Sequence, residues 1–401
     1  MPEILTIIYL FYSFIAFYFL LLFLLIYLKN RKNFFSTPKL TKNYSLTIVI
    51  PCYNEERDIG KTIETLLNSD YKGLKKIIVV DDCSTDNSYE VIQKYAKKYQ
   101  KVIGKRTVKN TGKASGAKNY GAKFVDTELI GFVDADSYPQ KDAIRRMMGF
   151  FDDKKVASVT SAILVKKGET FIERLQSIEY RIIAFTRRLL GFIGAIYVTP
   201  GPLAIYRKNA FDAIGRFDEE NLTEDIEITW NFLSKGYKIE MSVPSKAYTV
   251  APNSFKAWYS QRIRWNVGGI QTISKYKKTF AKKGILGSFV LPFFIISWII
   301  GLVGIGILIY RGFRLMVTHY LITIYSIGAQ AAVLTLRGIN LTPNVLLFFG
   351  VAILTLSLSF TLLALLHMKE KEFKKVRIFN ILIYSFVYLL AYPLILITSF
   401  T

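Results

Sequence analysis

The apolar positions along the chain fall into three regimes. Residues 4–28 carry no charge, and the run exceeds the ~20 residues that an apolar helix needs to cross a bilayer. Glu3 precedes it, and Lys29, Arg31 and Lys32 come directly after it. A cleaved secretory leader has a shorter apolar stretch, basic residues before it and a small-residue cleavage site after it. The run therefore reads as a retained anchor. Its basic flank places residue 29 onward in the cytosol and the N-terminus outside. From about residue 287 the chain turns apolar again, in segments 287–310, 320–336, 345–366 and 378–400. The second is shorter and carries Gln330. If all four cross, the loop with Lys369, Lys371, Lys374, Lys375 and Arg377 lies outside, against the tendency of basic loops to stay in the cytosol. One of the first three is then expected not to cross, and 320–336 is the exception we expect.

Between these blocks the pattern changes. Residues 46–51, 75–82 and 128–136 hold short apolar, β-branched runs that stop at polar turns, as buried parallel strands do. Between the first two, Ile59, Ile63, Leu66 and Leu67 share one helical face, and residues 89–99 form another helical candidate. Strand alternating with helix predicts a doubly wound α/β sheet. Further on, Phe171, Leu175, Ile178, Ile182, Phe185 and Leu189 recur at spacings of three and four, ringed by Arg174, Arg181, Arg187 and Arg188. That stripe fits an interfacial amphipathic helix or an ordinary core-facing one. The expected organisation is an anchor at 1–30, a cytosolic α/β domain at 45–250, interfacial helices at 251–284 and a membrane block at 285–401.

Composition sharpens this. The chain has 401 residues, 51% of them hydrophobic, with 53 Lys+Arg against 30 Asp+Glu and a formal charge of +23. Disorder needs low hydrophobicity and is excluded for most of the chain. Cys52 and Cys83 are the only cysteines, too few for a disulfide scaffold, and both read as reduced thiols. A nucleic-acid binder would explain the charge but not five apolar segments. It would also not explain carboxylates at strand ends, which repel phosphate unless a metal intervenes. A transporter would want ionisable residues within its spans, and these have almost none.

In open α/β sheets ligands bind beyond the carboxyl ends of the strands. After the first strand come Tyr53, Asn54, Glu55 and Glu56; after the second Asp81, Asp82, Ser84 and Asp86; after the third Asp134 and Asp136. Unpaired carboxylates so close repel one another, so a cation is the natural partner. Asp-x-Asp beside a phosphate suits Mg²⁺ or Mn²⁺, which take few protein oxygens and complete their shell from diphosphate and water. Ser84 and Asp86 are equally suited to capping helices. Between the second and third strands, glycines 112, 116 and 121 alternate with lysines 109, 113, 118 and 123. Such a turn suits a phosphate but lacks the P-loop spacing.

Seven motifs in order, "IPCYNEE", "VVDDCSTD", "NTGKASGAKNYG", "DADS", "TPGPLAIYR", "TEDIEITW" and "QRIRW", together resemble glycosyltransferase family 2 over about residues 46–280. The resemblance is nearest to membrane synthases of β-linked polymers such as poly-N-acetylglucosamine, hyaluronan and cellulose. It implies a GT-A fold, a Rossmann-like and mostly parallel sheet, and a UDP-sugar donor. Tyr53, Glu55 and Asp81 or Asp82 would contact uracil and ribose, Lys113 the diphosphate, Asp134 the donor sugar or ribose, and Asp136 the metal. Asp225, next to Glu224 in the Thr223-Glu224-Asp225 motif, would be the general base. Gln261, Arg264 and Trp265 would lie near acceptor and diphosphate, and Gly201 would face the acceptor. One base without a protein nucleophile implies a single displacement with inversion. UDP-N-acetylglucosamine is the first donor expected. The acceptor is a growing polysaccharide or, in the alternative, a lipid at the membrane face that takes a single sugar. Nothing in the sequence fixes oligomeric state, and nucleic acid is not expected as a partner.

Overall fold

The computed structural model describes residues 2–166, 168–282, 284–330, 345–368 and 377–400. Its centre is one mixed eight-stranded sheet in the order β3-β2-β1-β4-β7-β6-β8-β5. The strands are β1 (Leu46–Cys52), β2 (Leu74–Asp81), β3 (Val102–Arg106), β4 (Leu129–Phe132), β5 (Ser137–Pro139), β6 (Val156–Val165), β7 (Ala204–Arg207) and β8 (Lys238–Thr249). β3, β2, β1 and β4 run parallel. β7 is antiparallel to both β4 and β6, β8 is parallel to β6, and β5 is antiparallel to β8. Every residue of β1 is buried, because both sheet faces are covered. Alternation sorts its side chains: Ile48 and Ile50 enter one core with Ile77 and Val79, while Val49 enters the other with Ile78 and Val80.

The helices obey the same logic. α1 (Pro2–Asn30) precedes the sheet; α2 (Ile59–Leu67), α3 (Ser88–Lys98) and α4 (Ala114–Ala122) connect the parallel strands. Short α5 (Arg145–Met148) leads into β6. α6 (Phe171–Gly191) starts at a capping box, Thr170 with Glu173, which satisfies orphan amides at both ends of the first turn. α7 (Lys208–Ala213), α8 (Glu224–Ser234) and α9 (Phe255–Tyr276) complete the helices of this part of the chain. α10 (Leu291–Gly328) and α11 (Val345–His367) come next, and α12 (Ile378–Ile383) joins α13 (Leu389–Thr398) through a π-helical turn at Tyr384–Tyr388.

Among the described residues four helical stretches are long and apolar enough to cross a membrane: Thr6–Asn33, Leu286–Gly328, Phe348–His367 and Ile378–Thr398. The expectation of separate segments at 287–310 and 320–336 is corrected. α10 runs unbroken through Arg311, Gly312 and Arg314 for 38 residues. No proline interrupts it there, and a lone glycine costs only ~1 kcal/mol in a helix. Residues 331–336 and most of the basic 369–377 loop lie outside the described residues.

α6 is neither surface-lying nor an ordinary core helix. It packs between the sheet, through β6 and β8, and the C-terminal apolar helices α11 and α12. Arg181, Arg187 and Arg188 are therefore buried, not turned to solvent. Arg188 donates to the carbonyls of Asn33, Phe34 and Met241 at 3.1, 3.1 and 2.8 Å, tying the end of the anchor to β8. On another face, Glu179 accepts from Arg262 of α9 at 2.6 Å and from the Tyr388 hydroxyl at 2.7 Å. Trp258 in turn donates its indole N–H to Tyr388. The Arg262 and Glu179 side chains are 1% and 4% exposed. Breaking such a pair leaves one buried charge alone. Arg262→Met is expected to cost about 3–5 kcal/mol, and Arg262→Met with Glu179→Met to recover most of it. Unfolding curves of the full chain in one detergent check both.

Candidate active site

The loops after β1 and β2 are stitched into one wall. Asn54 N–H donates to Ser84 Oγ at 3.0 Å, and Thr85 N–H donates to Asn54 Oδ1 at 2.8 Å. Glu55 N–H donates to Ser88 Oγ at 2.8 Å, and Glu56 N–H to Asp86 at 3.1 Å. Asn54 and Cys83 take left-handed backbone conformations, φ 55° and 57°, which few residues other than glycine adopt. Burial would raise the Asp86 carboxyl, but hydrogen bonds from Ser88 and the Glu56 amide outweigh it and hold it below the ordinary range. Ser84 and Asp86 thus build the loops.

Asp81 and Asp82 part company. Asp82 accepts from Thr107 Oγ1 at 2.8 Å and from the Thr111 amide and hydroxyl at 3.1 and 2.7 Å. It is committed to the 107–111 loop. Asp81 is fully buried and meets Arg106 at 3.1 Å through Oδ2, while its Oδ1 has no protein partner among the described residues. Tyr53 is half exposed at the rim.

The centre of the crevice is a cluster around Lys118. Its ammonium is buried, 2.8 Å from Glu224 Oε1 and 3.4 Å from Asp134 Oδ1. α4 brings it there because its neighbours Ala117, Gly121 and Ala122 are small and pack against the sheet. Burial alone would favour the neutral amine, but Glu224 and Asp134 outweigh it and keep Lys118 charged. Lys113 does not join this cluster. It donates to the carbonyls of Glu219 and Glu220, each at 2.8 Å. A Cβ on Gly201 would lie 2.3 Å from Asp134 Oδ2, so glycine there lets that carboxylate approach.

Asp225 sits in the first turn of α8, where the helix dipole favours an anion. Its carbonyl accepts from Thr229 Oγ1 at 2.6 Å and from the Thr199 amide at 3.4 Å. Burial, then the adjacent Glu224, push its carboxyl up to about 7 despite the opposing pull of Lys118. Glu224 itself is desolvated, yet Lys118 holds it below the ordinary range, with Arg264 helping. Asp136 is pushed to about 6 by burial and then by Asp134. Glu55 rises to about 7 through burial, then Asp136 and Asp58. The structure thus gathers Glu55, Asp134, Asp136, Glu224 and Asp225 in one crevice.

The Gln261–Trp265 segment lies on α9. Arg264 is exposed and acts on Glu224 from outside. Trp265 is stacked under the Arg262 guanidinium, 3.9 Å from its ring centre, and Gln261 Oε1 is buried without a partner among the described residues. Sequence reasoning groups Lys118 with the lysines of a phosphate turn and passes over Arg262 and Glu179. For the burial of Lys118 a signal is present: it is the one charged residue of α4, whose other residues are mostly alanine, glycine and serine.

Comparisons place this architecture. Residues 47–215 match the family model "Glycosyl transferase family 2", and the mixed sheet has the GT-A arrangement. Over 230 residues it is 30% identical to a poly-beta-1,6-N-acetyl-D-glucosamine synthase of Staphylococcus aureus, covering 57% of this chain and 55% of that protein. The protein of the same name from Staphylococcus epidermidis is 28% identical over 250 residues, 62% of this chain and 60% of the relative. The chain thus spans somewhat over half the length of these relatives. Among solved structures, a mannosyltransferase from Pyrobaculum calidifontis, in complex with GDP-Man and Mn²⁺, covers 97% of this chain and is itself covered to 96%. The two share a TM-score of 0.58 and 16% identity, a likeness of fold.

Removing Lys118 leaves Glu224, Asp134 and Asp225 to repel one another without a counter-charge. A carboxyl whose folded pKa is raised destabilises the fold once pH exceeds the unfolded value, and the penalty is relieved by protonation. Lys118→Met is therefore expected to lose about 3–5 kcal/mol at pH 8 and to close part of that gap by pH 5. Melting curves across pH read this directly.

Proposed function

We propose that the crevice transfers a sugar from a UDP-sugar to an acceptor hydroxyl with inversion, extending a β-linked polysaccharide. UDP-N-acetylglucosamine is the first donor to test, in keeping with the names of the relatives. The observation that carries the reading is the buried Asp225 carboxyl poised near neutral pH beside Lys118, Glu224 and Asp134. A base whose pKa lies near the working pH combines availability with proton affinity. As the acceptor oxygen bonds to the anomeric carbon, its proton passes to Asp225. The bond from that carbon to the diphosphate oxygen breaks, and UDP departs with the electron pair. No second carboxylate is needed as a nucleophile, so the configuration inverts.

The donor set fits a divalent ion that arrives with the diphosphate. Among the described residues no three His, Cys, Asp or Glu groups converge to cage an ion. Asp136, with Asp134 two residues away, offers the one or two hard oxygens that Mg²⁺ or Mn²⁺ takes from protein in phosphate sites. When bound, the ion neutralises charge gathering on the departing diphosphate. Asp81, with an oxygen free, suits the base better than Asp82, and Glu55 and Tyr53 flank it. Gly201, Gln261, Arg264 and Trp265 are assigned to the acceptor and diphosphate side.

The same reading makes this an integral membrane protein with the α/β domain in the cytosol. Counting α10 as one crossing favours it: α1 leads in, α10 out, α11 back in. The loop with Lys369, Lys371, Lys374, Lys375 and Arg377 then falls on the cytosolic side with Lys29, Arg31 and Lys32, as basic loops prefer.

Purified protein in detergent, with membrane lipids and Mg²⁺ or Mn²⁺, is expected to release UDP from at least one of a broad panel of UDP-sugars. Silence across the panel defeats the proposal. Mass analysis of the product separates a polymer ladder from a single-sugar lipid. Asp225→Asn is expected to keep UDP affinity within about twofold while transfer falls by a factor of 10² or more, the range of a lost general base. In the wild type, turnover is expected to fall about tenfold per pH unit below 7 as Asp225 takes up its proton, and to level off above it.

A further inference from the structure

Tyr180 and Arg187 stand two turns apart on α6 and share a face. Arg187 is 5% exposed, yet among the described residues nothing hydrogen-bonds to its guanidinium, and its Nε is sealed off without a partner. The hydroxyls of Tyr180 and Tyr197 also meet no hydrogen-bond partner among those residues. Arg187 lies within electrostatic reach of Tyr197, Asp225 and Tyr180. Tyr180 lies within reach of Arg262, Glu179, Asp136 and Arg187. Arg187 thus neighbours the Asp225 side of the crevice and Tyr180 the Asp136 side, with Tyr197 near Arg187. Tyr197 is held there by its own segment: two residues on, the Thr199 amide and hydroxyl both donate to the Asp225 carbonyl, each at 3.4 Å. On the membrane side the Tyr197 ring packs edge-on against Phe294 of α10, 4.7 Å between centres.

A buried guanidinium without a hydrogen bond is costly, and among the described residues no carboxylate is in contact with Arg187. A ligand reaching its terminal nitrogens can supply the acceptors. An anionic ligand would face the carboxylates of Asp225, Glu224, Asp134 and Asp136. A neutral polyhydroxyl ligand meets no such repulsion: its oxygens accept from Arg187 and the two tyrosines, and its C–H faces pack on their rings.

Resting on the transferase reading, we propose that Tyr180, Arg187 and Tyr197 form the subsite that holds a neutral acceptor sugar and turns its hydroxyl toward Asp225. The test uses the full chain in detergent with UDP-N-acetylglucosamine, Mn²⁺ and added β-linked N-acetylglucosamine oligosaccharide. Arg187→Gln is expected to raise the half-saturating oligosaccharide concentration at least tenfold, and Tyr197→Phe severalfold, with UDP affinity within twofold of the parent. Unchanged acceptor dependence in folded Arg187→Gln overturns the proposal. So does parallel loss of UDP affinity in Arg187→Gln and Arg187→Lys, which marks a packing role. So does farnesyl phosphate inhibiting the parent but not Arg187→Gln, which marks an anion site. A parent that releases no UDP from any UDP-sugar defeats the transferase reading instead, before any variant is compared.

Discussion

The crevice depends on one ammonium group. Five carboxylates line the crevice where the sheet ends, and neighbouring like charges shielded from water drive one another to take up protons. Lys118 divides them into two kinds. Glu224, in direct contact, is held ionised; Asp225, one residue on but without that contact, is left near neutrality. Adjacent residues in one helical turn thereby acquire different acidities. The surrounding sequence serves this placement. Small residues let α4 press against the sheet, Gly201 gives Asp134 room, and the first turn of α8 offers its dipole to both acids.

A second buried charge pair sets where the α/β domain stands. Glu179, Arg262 and Tyr388 come from α6, α9 and the π-turn of the last apolar helix. π-turns are rare and gather at functional positions, and this one presents Tyr388 to a carboxylate inside the domain. With Arg188 gripping the end of the anchor, the domain is mounted on its helices at several points and not tethered by a linker.

Much of this could be read from the sequence, for physical reasons that differ by element. β1, β2 and β4 announced themselves because strands buried on both faces are apolar throughout. β6 is equally buried, but its small and hydroxylated residues, Ala157, Ser158, Thr160 and Ser161, dilute that signal. The crevice acids were visible because strand ends are where such sheets bind ligands. The burial of Lys118 was not, since it depends on contacts across the sheet that no local pattern encodes. Arg262 hid within a motif whose flanking residues drew attention outward. The unbroken α10 defied segment counting because a short charged stretch interrupts the apolar run without interrupting the helix.

The close approach of α9 to α8 has a mechanical consequence. A Cβ on Gly268 would fall 2.2 Å from Thr223 Oγ1, so the two helices touch nearly backbone to side chain, two residues before Asp225. At its other end α9 reaches the last apolar helix, where the Tyr259 hydroxyl donates to Thr398 Oγ1 at 3.0 Å. One helix thus seats both the turn that carries Asp225 and the last apolar helix, so neither can shift without straining the contacts of the other.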